Sequence, residues 1–257
     1  MNDLDIAADP FSLSGQSILV TGASSGIGRQ IAVACAAAGA RVFLTGRNQA
    51  RLEETAQLLI GEGHICLSAD LSNPAEIEHL IAQLPVLNGL AHAAGISRLV
   101  PFRMMGQAHL DDTFQSNTYA PLLLTKGLLA KKKIAAKGSV LWIASIASHV
   151  GPVASAGYAA SKAALLGAMR SLGREVAKQG IRVNCIAPGY VRTPLLDGLQ
   201  GGGANMTDLF DLAPLGLGEP EDIAASAIFF LSDASRWITR NYFVIDGGLT
   251  IPMDIYA

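Results

Sequence analysis

Short, almost continuously apolar runs recur along the chain, and longer alanine-rich stretches with helical spacing separate them. The runs are SILVTG at 17–22, RVFLTG at 41–46, HICLSA at 64–69, GLAHAAG at 89–95, SVLWIAS at 139–145, IRVNCIAPG at 181–189 and YFVID at 242–246. They predict seven strands, and because they are apolar throughout rather than alternating, both faces of the sheet must be covered. Helices are predicted near 26–38, 48–61, 73–83, 107–130, 156–179 and 220–231. Asn73-Pro74 and Glu219-Pro220 look like helix starts, with proline at or near the first helical position and acids after it. The alternation predicts a doubly wound α/β fold, a seven-stranded parallel sheet with helices on both faces. It spans 14–257 as a single domain behind an N-terminal extension, 1–13. The one long irregular segment, 189–218, contains GLQGGGAN and is expected to be a substrate loop, because loops that long in compact domains usually serve function.

Composition narrows the partners. Half of the 257 residues are hydrophobic and the mean hydropathy is +0.35, enough for a large core. A formal charge of -2 without a basic stripe argues against nucleic acid. The run Lys131 to Lys133 reads as a solvated helix end. The first fifteen residues carry three Asp and no Lys or Arg, unlike a signal peptide. The longest near-apolar stretch, Ile31 to Ala40, falls short of the roughly 20 residues that span a bilayer. A cytoplasmic protein without a membrane partner is expected. Cys35, Cys66 and Cys185 lack C-x-x-C spacing and read as small core residues. His64, His79, His92, His109 and His149 occur singly, so no metal site is expected.

The first strand runs into TGASSGIGRQIA, where Gly22, Gly26 and Gly28 punctuate a strand, a tight turn and an immediate helix start. A helix N-terminus presents unpaired N–H groups and a positive dipole end, and glycine lets the backbone approach a phosphate closely. A bare βα turn needs fewer glycines, so this context favours a dinucleotide. Arg47 follows the second strand, where an acid would pair with the 2′-hydroxyl of NAD. An arginine there favours a 2′-phosphate, hence NADP(H) over NAD(H). The other reading is a surface arginine starting the second helix, and Ser24 in the turn supplies no second cation. Asp70 is either a turn or N-cap residue of DLSNPAE or an acceptor for the adenine amine.

Tyr158 and Lys162 lie four residues apart in a predicted helix and so share a face. An ammonium near the phenol should pull its pKa down towards the working pH, making it a general acid for carbonyl reduction and a base for alcohol oxidation. Ser145 ends the fifth strand, on the sheet edge where ligands bind, and its hydroxyl can hold the substrate oxygen. Taken singly, each residue also has an ordinary reading, as a strand-end turn, a partly buried aromatic and a snorkelling lysine.

Together, S-x12-Y-x3-K after T-G-x-x-x-G-x-G strongly resembles the short-chain dehydrogenase/reductases, which have a Rossmann-type fold, and the resemblance runs from Ser14 to about Gly248. TGASSGIG, YAASK, IRVNCIAPGYVRT and VIDGG all match its pattern, and the nearest type is the 3-oxoacyl-carrier-protein reductase. The resemblance implies that Asn117 bends a helix and holds a water linking Lys162 to solvent. It implies that Ser24, Ile27, Arg47, Asp70, Leu71, Ala93, Gly95, Tyr158, Lys162, Pro188, Gly189, Val191 and Thr193 touch the cofactor beside the three turn glycines. It also implies a homo-oligomer, a dimer within a homotetramer, built on the helices at 107–130 and 156–179; packing of those helices against their own sheet is the alternative. Two departures stand out: HAAG at His92 to Gly95 replaces the usual N-N-A-G, and Arg240-Asn241 precedes the last strand where glycine is usual. His92 is expected to be a hydrogen-bonded structural histidine, while His149 either lines the substrate pocket or sits on a loop.

The leading expectation is an NADP(H)-dependent carbonyl reductase or alcohol dehydrogenase acting on a small apolar or acyl molecule, its pocket formed by 145–152, the loop 189–218, and Phe102 with Met104 and Met105. The alternatives are an NAD(H)-dependent sugar or polyol dehydrogenase and, from another class, a catalytically silent dinucleotide-binding sensor or structural protein.

Overall fold

Each apolar run does become a strand. The computed structural model describes residues 9–197 and 213–250. Its strands are β1 Ser17–Thr21, β2 Arg41–Gly46, β3 Ile65–Ser68, β4 Leu87–His92, β5 Ile134–Ile143, β6 Arg182–Pro188 and β7 Tyr242–Ile245. They form one parallel sheet in the order β3-β2-β1-β4-β5-β6-β7. The helices are α1 Gly26–Ala37, α2 Gln49–Ala56, α3 Pro74–Gln83, α4 Gln107–Phe114, α5 Ala120–Ala130, α6 Ala147–Val150, α7 Ala156–Glu175, α8 Pro194–Asp197 and α9 Pro220–Leu231.

Successive strand side chains point to opposite faces, so an all-apolar strand feeds two cores. On one face Leu19, Phe43, Leu90, Val140, Trp142 and Val183 pack under α3, α5 and α7. On the other, Ile18, Val20, Val42, Leu44, Leu141 and Ile186 pack under α1, α2 and α9. Burying one such side chain contributes about 1.5–3 kcal/mol. Strand order reverses between β1 and β4, which leaves a crevice beyond their carboxyl ends, where open α/β sheets bind ligands.

The helix-start signals hold: Asn73 Oδ1 accepts from Ala75 N–H, and Asp222 Oδ2 accepts from Glu219 N–H. Ahead of β1, Leu13 is fully buried and Pro10 O accepts from Ala234 N–H.

Elsewhere tertiary context moved the boundaries. The second helix stops at Ala56, short of 61, because Leu58 and Ile60 find no core and Gly61 and Gly63 take positive φ. The expected helix 156–179 is helical to Glu175 and ends in a 3-10 turn, Ala177–Gln179. The fifth strand begins at Ile134, five residues early, and is kinked where Lys137 takes φ 63 and the pairing with β4 shifts register. The expected helix 107–130 contains a widened π turn at Gln115–Tyr119. Pro121 is the reason: lacking an N–H, it cannot bond the Asn117 carbonyl four residues back. Lys133 is not a solvated helix end; its Nζ donates to Ile81 O at 2.7 Å, Ala82 O at 3.1 Å and Leu84 O, satisfying the carbonyls that end α3. Cys35 and Cys185 are buried, but Cys66 is half-exposed on the edge strand β3. Within the expected loop 189–218, residues 198–212 lie outside the described residues, as do 1–8 and 251–257. Among the described residues no helix is long and apolar enough to cross a membrane.

Candidate active site

The glycine turn sits at the crevice and is close-packed on its inner side. A Cβ on Gly22 would lie 2.8 Å from Ala94 Cα, and one on Gly28 would lie 2.3 Å from Gly22 O. No side chain at those positions fits, so the α1 N-terminus comes right up to the turn. Ser25 stands at the N-cap but its side chain caps nothing, which leaves the first N–H groups of α1 available to an anion. The turn is held from behind: Ala23 N–H donates to Thr45 O at 3.2 Å, Thr55 Oγ1 to Ala23 O at 2.9 Å, and Arg29 Nη2 to Ser24 O at 2.8 Å.

From this turn a cleft of about 780 Å³ extends over the ends of β2 and β3. Gly22, Ser24, Gly26, Ile27, Gly28, Arg47, Asp70, Leu71, Ala93, Gly95 and Thr193 line it. Sequence reasoning missed Arg51, in the first turn of α2, which also lines the cleft. A second arginine four residues after Arg47 was the available signal. Asp70 is engaged as a turn residue, its Oδ1 accepting from Ser72 N–H at 2.9 Å and Ser72 Oγ at 2.7 Å. Partial burial pushes its carboxyl up, but the Ser72 bonds and Arg47 outweigh that and hold it below the usual range. The uncapped helix start, the close-packed glycine turn and the two arginines of the cleft fit a dinucleotide.

A second, more apolar pocket of about 330 Å³ adjoins the first, sharing Ile27, Ala93, Gly95, Thr193 and Leu195 with it. Ser145, Tyr158, Lys162, Pro188, Gly189 and Val191 line it. Of the residues assigned from the sequence to catalysis or to the cofactor, only Asn117 lines neither space. It lies buried behind them: Oδ1 accepts from Ile96 N–H at 2.8 Å, while Nδ2 donates to Ile96 O at 2.9 Å and Ser161 Oγ at 3.0 Å. A Cβ on Gly95 would lie 3.0 Å from Asn117 Oδ1 and 3.2 Å from Lys162 Nζ. The glycine thus keeps open a gap between those two polar atoms.

The Ser145 hydroxyl accepts from Ala147 N–H at 3.1 Å and lies near enough to the Tyr158 phenol to favour its ionised form. Lys162 Nζ lies 5.9 Å from the Tyr158 ring centroid and donates to Ile143 O at 2.9 Å. The expected fall in the tyrosine pKa is reversed. Burial raises the Tyr158 phenol above its ordinary value, and the Ser145 hydroxyl offsets only part of that. Burial likewise brings the Lys162 ammonium down to about 8. The phenol therefore holds its proton at neutral pH, as a proton donor must.

Five neighbouring residues are placed otherwise than the sequence suggested. His149 does not line the pocket; it is exposed and stacks on Tyr242, ring centroids 4.4 Å apart. Phe102 and Met104 are largely exposed, and neither they nor Met105 line either space. His92 is not a fully hydrogen-bonded structural histidine, because its buried Nε2 has no partner. Burial, and after it the nearby Lys162 charge, drops its pKa to about 3, so the ring is neutral.

Residues 22–250 match the family model described as enoyl-(acyl carrier protein) reductase. Oxidoreductase UcpA of Salmonella typhimurium is 33% identical over 257 residues, covering 95% of this chain and 97% of that protein. The 3-oxoacyl-[acyl-carrier-protein] reductase FabG of Rickettsia felis is 32% identical over 92% of this chain and 98% of its own length. A solved structure from Agrobacterium tumefaciens that carries bound NADP superposes with a TM-score of 0.84 at 33% identity, covering 94% of this chain and 98% of that one. Glycine turn, doubly wound sheet and a Ser-Tyr-Lys pocket at its switch point, together with relatives of matching length, make this chain an enzyme of the short-chain dehydrogenase/reductase family, one that works with a nicotinamide dinucleotide.

Proposed function

We propose that the protein is an NADP(H)-dependent oxidoreductase that interconverts a carbonyl group and a secondary alcohol on a small apolar or acyl substrate, with Tyr158 as the proton donor. The meeting of Ser145, Tyr158 and Lys162 in one apolar pocket that opens onto the glycine-turn cleft carries this reading. When bound, the nicotinamide supplies or takes the hydride.

The chain's own residues do the rest. The Ser145 hydroxyl, beside Tyr158 in the same pocket, orients the substrate oxygen so that it shares the phenol's proton. In reduction Tyr158 gives that proton to the substrate oxygen; in oxidation it takes one. Lys162, buried and held at the Ile143 carbonyl, stabilises the phenolate left behind. Asn117, across the Gly95 gap from Lys162, holds the water that returns the proton from solvent. Ile27, Leu71, Ala93, Pro188, Gly189, Val191 and Thr193 form the walls against which the cofactor rests.

NADP(H) preference is supported by Arg47 and Arg51, two cations following β2 where no acid ends the strand, and by the NADP in the Agrobacterium relative. The apolar substrate is supported by Leu99, Ile146, Pro152, Val153, Leu195 and Leu196 around Tyr158, among which Lys162 is the one ionised group lining the described part of the pocket. The resemblance to a 3-oxoacyl reductase makes β-keto thioesters the first compounds to try, before sugars, quinones and aromatic ketones. We further propose a cytoplasmic homo-oligomer assembled on α4, α5 and α7.

The test follows NADPH oxidation over that panel with wild-type protein and Tyr158→Phe. Wild-type turnover that falls by about 10²–10⁴ in the variant, with NADPH still bound, is expected for loss of a general acid. Undiminished turnover in Tyr158→Phe would overturn the assignment.

A further inference from the structure

Ser145 is held by its backbone as well as by its side chain. Its carbonyl oxygen accepts from three donors: Ser148 Oγ at 2.6 Å, Tyr242 Oη at 3.0 Å and Ser148 N–H at 3.1 Å. The two hydroxyls also lie 2.9 Å from each other. A carbonyl oxygen has two lone pairs, so three donors over-determine where it points. Only the Ser148 N–H belongs to the local turn that opens α6. Tyr242 comes from β7, 97 residues on in sequence, and its phenol reaches to the end of β5. Nothing in the bare turn requires it.

His149 braces this arrangement. Its ring lies parallel to Tyr242 at 9°, and its Nδ1 is 3.1 Å from Ser148 Oγ. The proton count favours Nδ1–H as donor to Ser148. The two hydroxyls then both have their own protons for the Ser145 carbonyl, while Ser148 Oγ accepts from the imidazole.

From this geometry we infer that Tyr242 and Ser148 are positioning residues that clamp the Ser145 carbonyl and thereby aim the Ser145 hydroxyl at Tyr158. The clamp rests on the reading of Ser145 and Tyr158 given above. Rotating the Ser145 peptide plane swings its Cα–Cβ bond, and misplacement by a fraction of an ångström at a reacting oxygen is costly in rate. Because the clamp lies outside both the cleft and the pocket, it acts on turnover and leaves cofactor binding alone.

The experiment uses the full chain and the compound of the panel that the wild-type protein reduces fastest. Tyr242→Phe keeps the ring stacked on His149 and removes only the hydroxyl. It is expected to lower kcat about five- to tenfold, the usual effect of one hydrogen bond, while the NADPH dissociation constant and the KM for NADPH stay within twofold. Ser148→Ala should behave alike, and Ser148→Thr, which restores a hydroxyl, should recover most of the rate. Repeating Tyr242→Phe in a Ser145→Ala background is decisive, since a residue that works through Ser145 has nothing left to position there and should change kcat by less than twofold. An equal loss in both backgrounds would mean a merely structural tyrosine and would overturn the clamp. So would wild-type kcat in Tyr242→Phe. If Tyr158→Phe kept full turnover, or if the wild-type protein reduced nothing in the panel, the redox reading itself would fail and take the clamp with it.

Discussion

One added methyl group tests the glycine turn. In Gly28→Ala the new Cβ would lie 2.3 Å from Gly22 O, 2.6 Å from Gly22 C and 3.0 Å from Thr21 O. Relaxed contacts of this kind need roughly 3.5 Å, so turn and helix must separate by about 1 Å. The turn has little room to withdraw, since a Cβ on Gly22 would stand 2.8 Å from the Ala94 backbone on the far side. Overpacking of this kind costs about 1–3 kcal/mol, and alanine's better helix propensity returns less than about 1 kcal/mol. In a domain of this size each kcal/mol lowers Tm by about 2–4 °C, so a fall of roughly 2–8 °C is expected. Phosphate binding suffers more, because an N–H moved by about 1 Å leaves the 2.7–3.2 Å hydrogen-bond range. NADPH affinity, measured by titration calorimetry, should drop at least about tenfold, which corresponds to about 1.4 kcal/mol. Gly167→Ala is the control. It places the same methyl on the exposed face of α7, with nothing within 4 Å, and should leave affinity unchanged and Tm equal or slightly higher. Wild-type affinity and Tm in Gly28→Ala would refute the close-approach argument.

Other expectations follow from the same geometry. Asn117→Ala strands the Ile96 N–H and C=O and the Ser161 hydroxyl, and should destabilise the protein by about 2–4 kcal/mol in urea unfolding. Lys162 falls from an ordinary 10.5 to about 8, so between those values the unfolded chain holds more protons and this residue's contribution to stability rises with pH. That drop corresponds to on the order of 3 kcal/mol, so the stability of Lys162→Met relative to wild type should decline by about that much from pH 8 to 10.5; a flat difference would show an unperturbed lysine. Replacing Arg47 and Arg51 together by alanine should reduce kcat/KM with NADPH about 10²-fold while leaving NADH within a few-fold; equal losses with both cofactors would place neither arginine at a 2′-phosphate.

Much of this molecule was legible before any coordinates. Seven apolar runs set seven strands, because a sheet covered on both faces has no polar register to conceal. The glycine turn, Ser145, Tyr158 and Lys162 were legible too, since backbone sterics and helical periodicity are local rules that a short stretch of sequence obeys by itself. What escaped depends on groups far apart in the chain. The Tyr158 pKa moves up instead of down because burial, a property of the assembled pocket, outweighs the effect expected from a lysine four residues away. Lys133 leaves solvent because the carbonyls ending α3 are some 50 residues distant in sequence and near in space. Arg51 became a cleft residue only once the start of α2 was set against the cleft. His149 turned from the pocket to Tyr242 because β7 packs beside β6, a neighbour relation that no local pattern around His149 encodes. Local chain geometry determined the elements and brought the candidate site residues onto them; long-range packing decided their protonation, their partners and their aim.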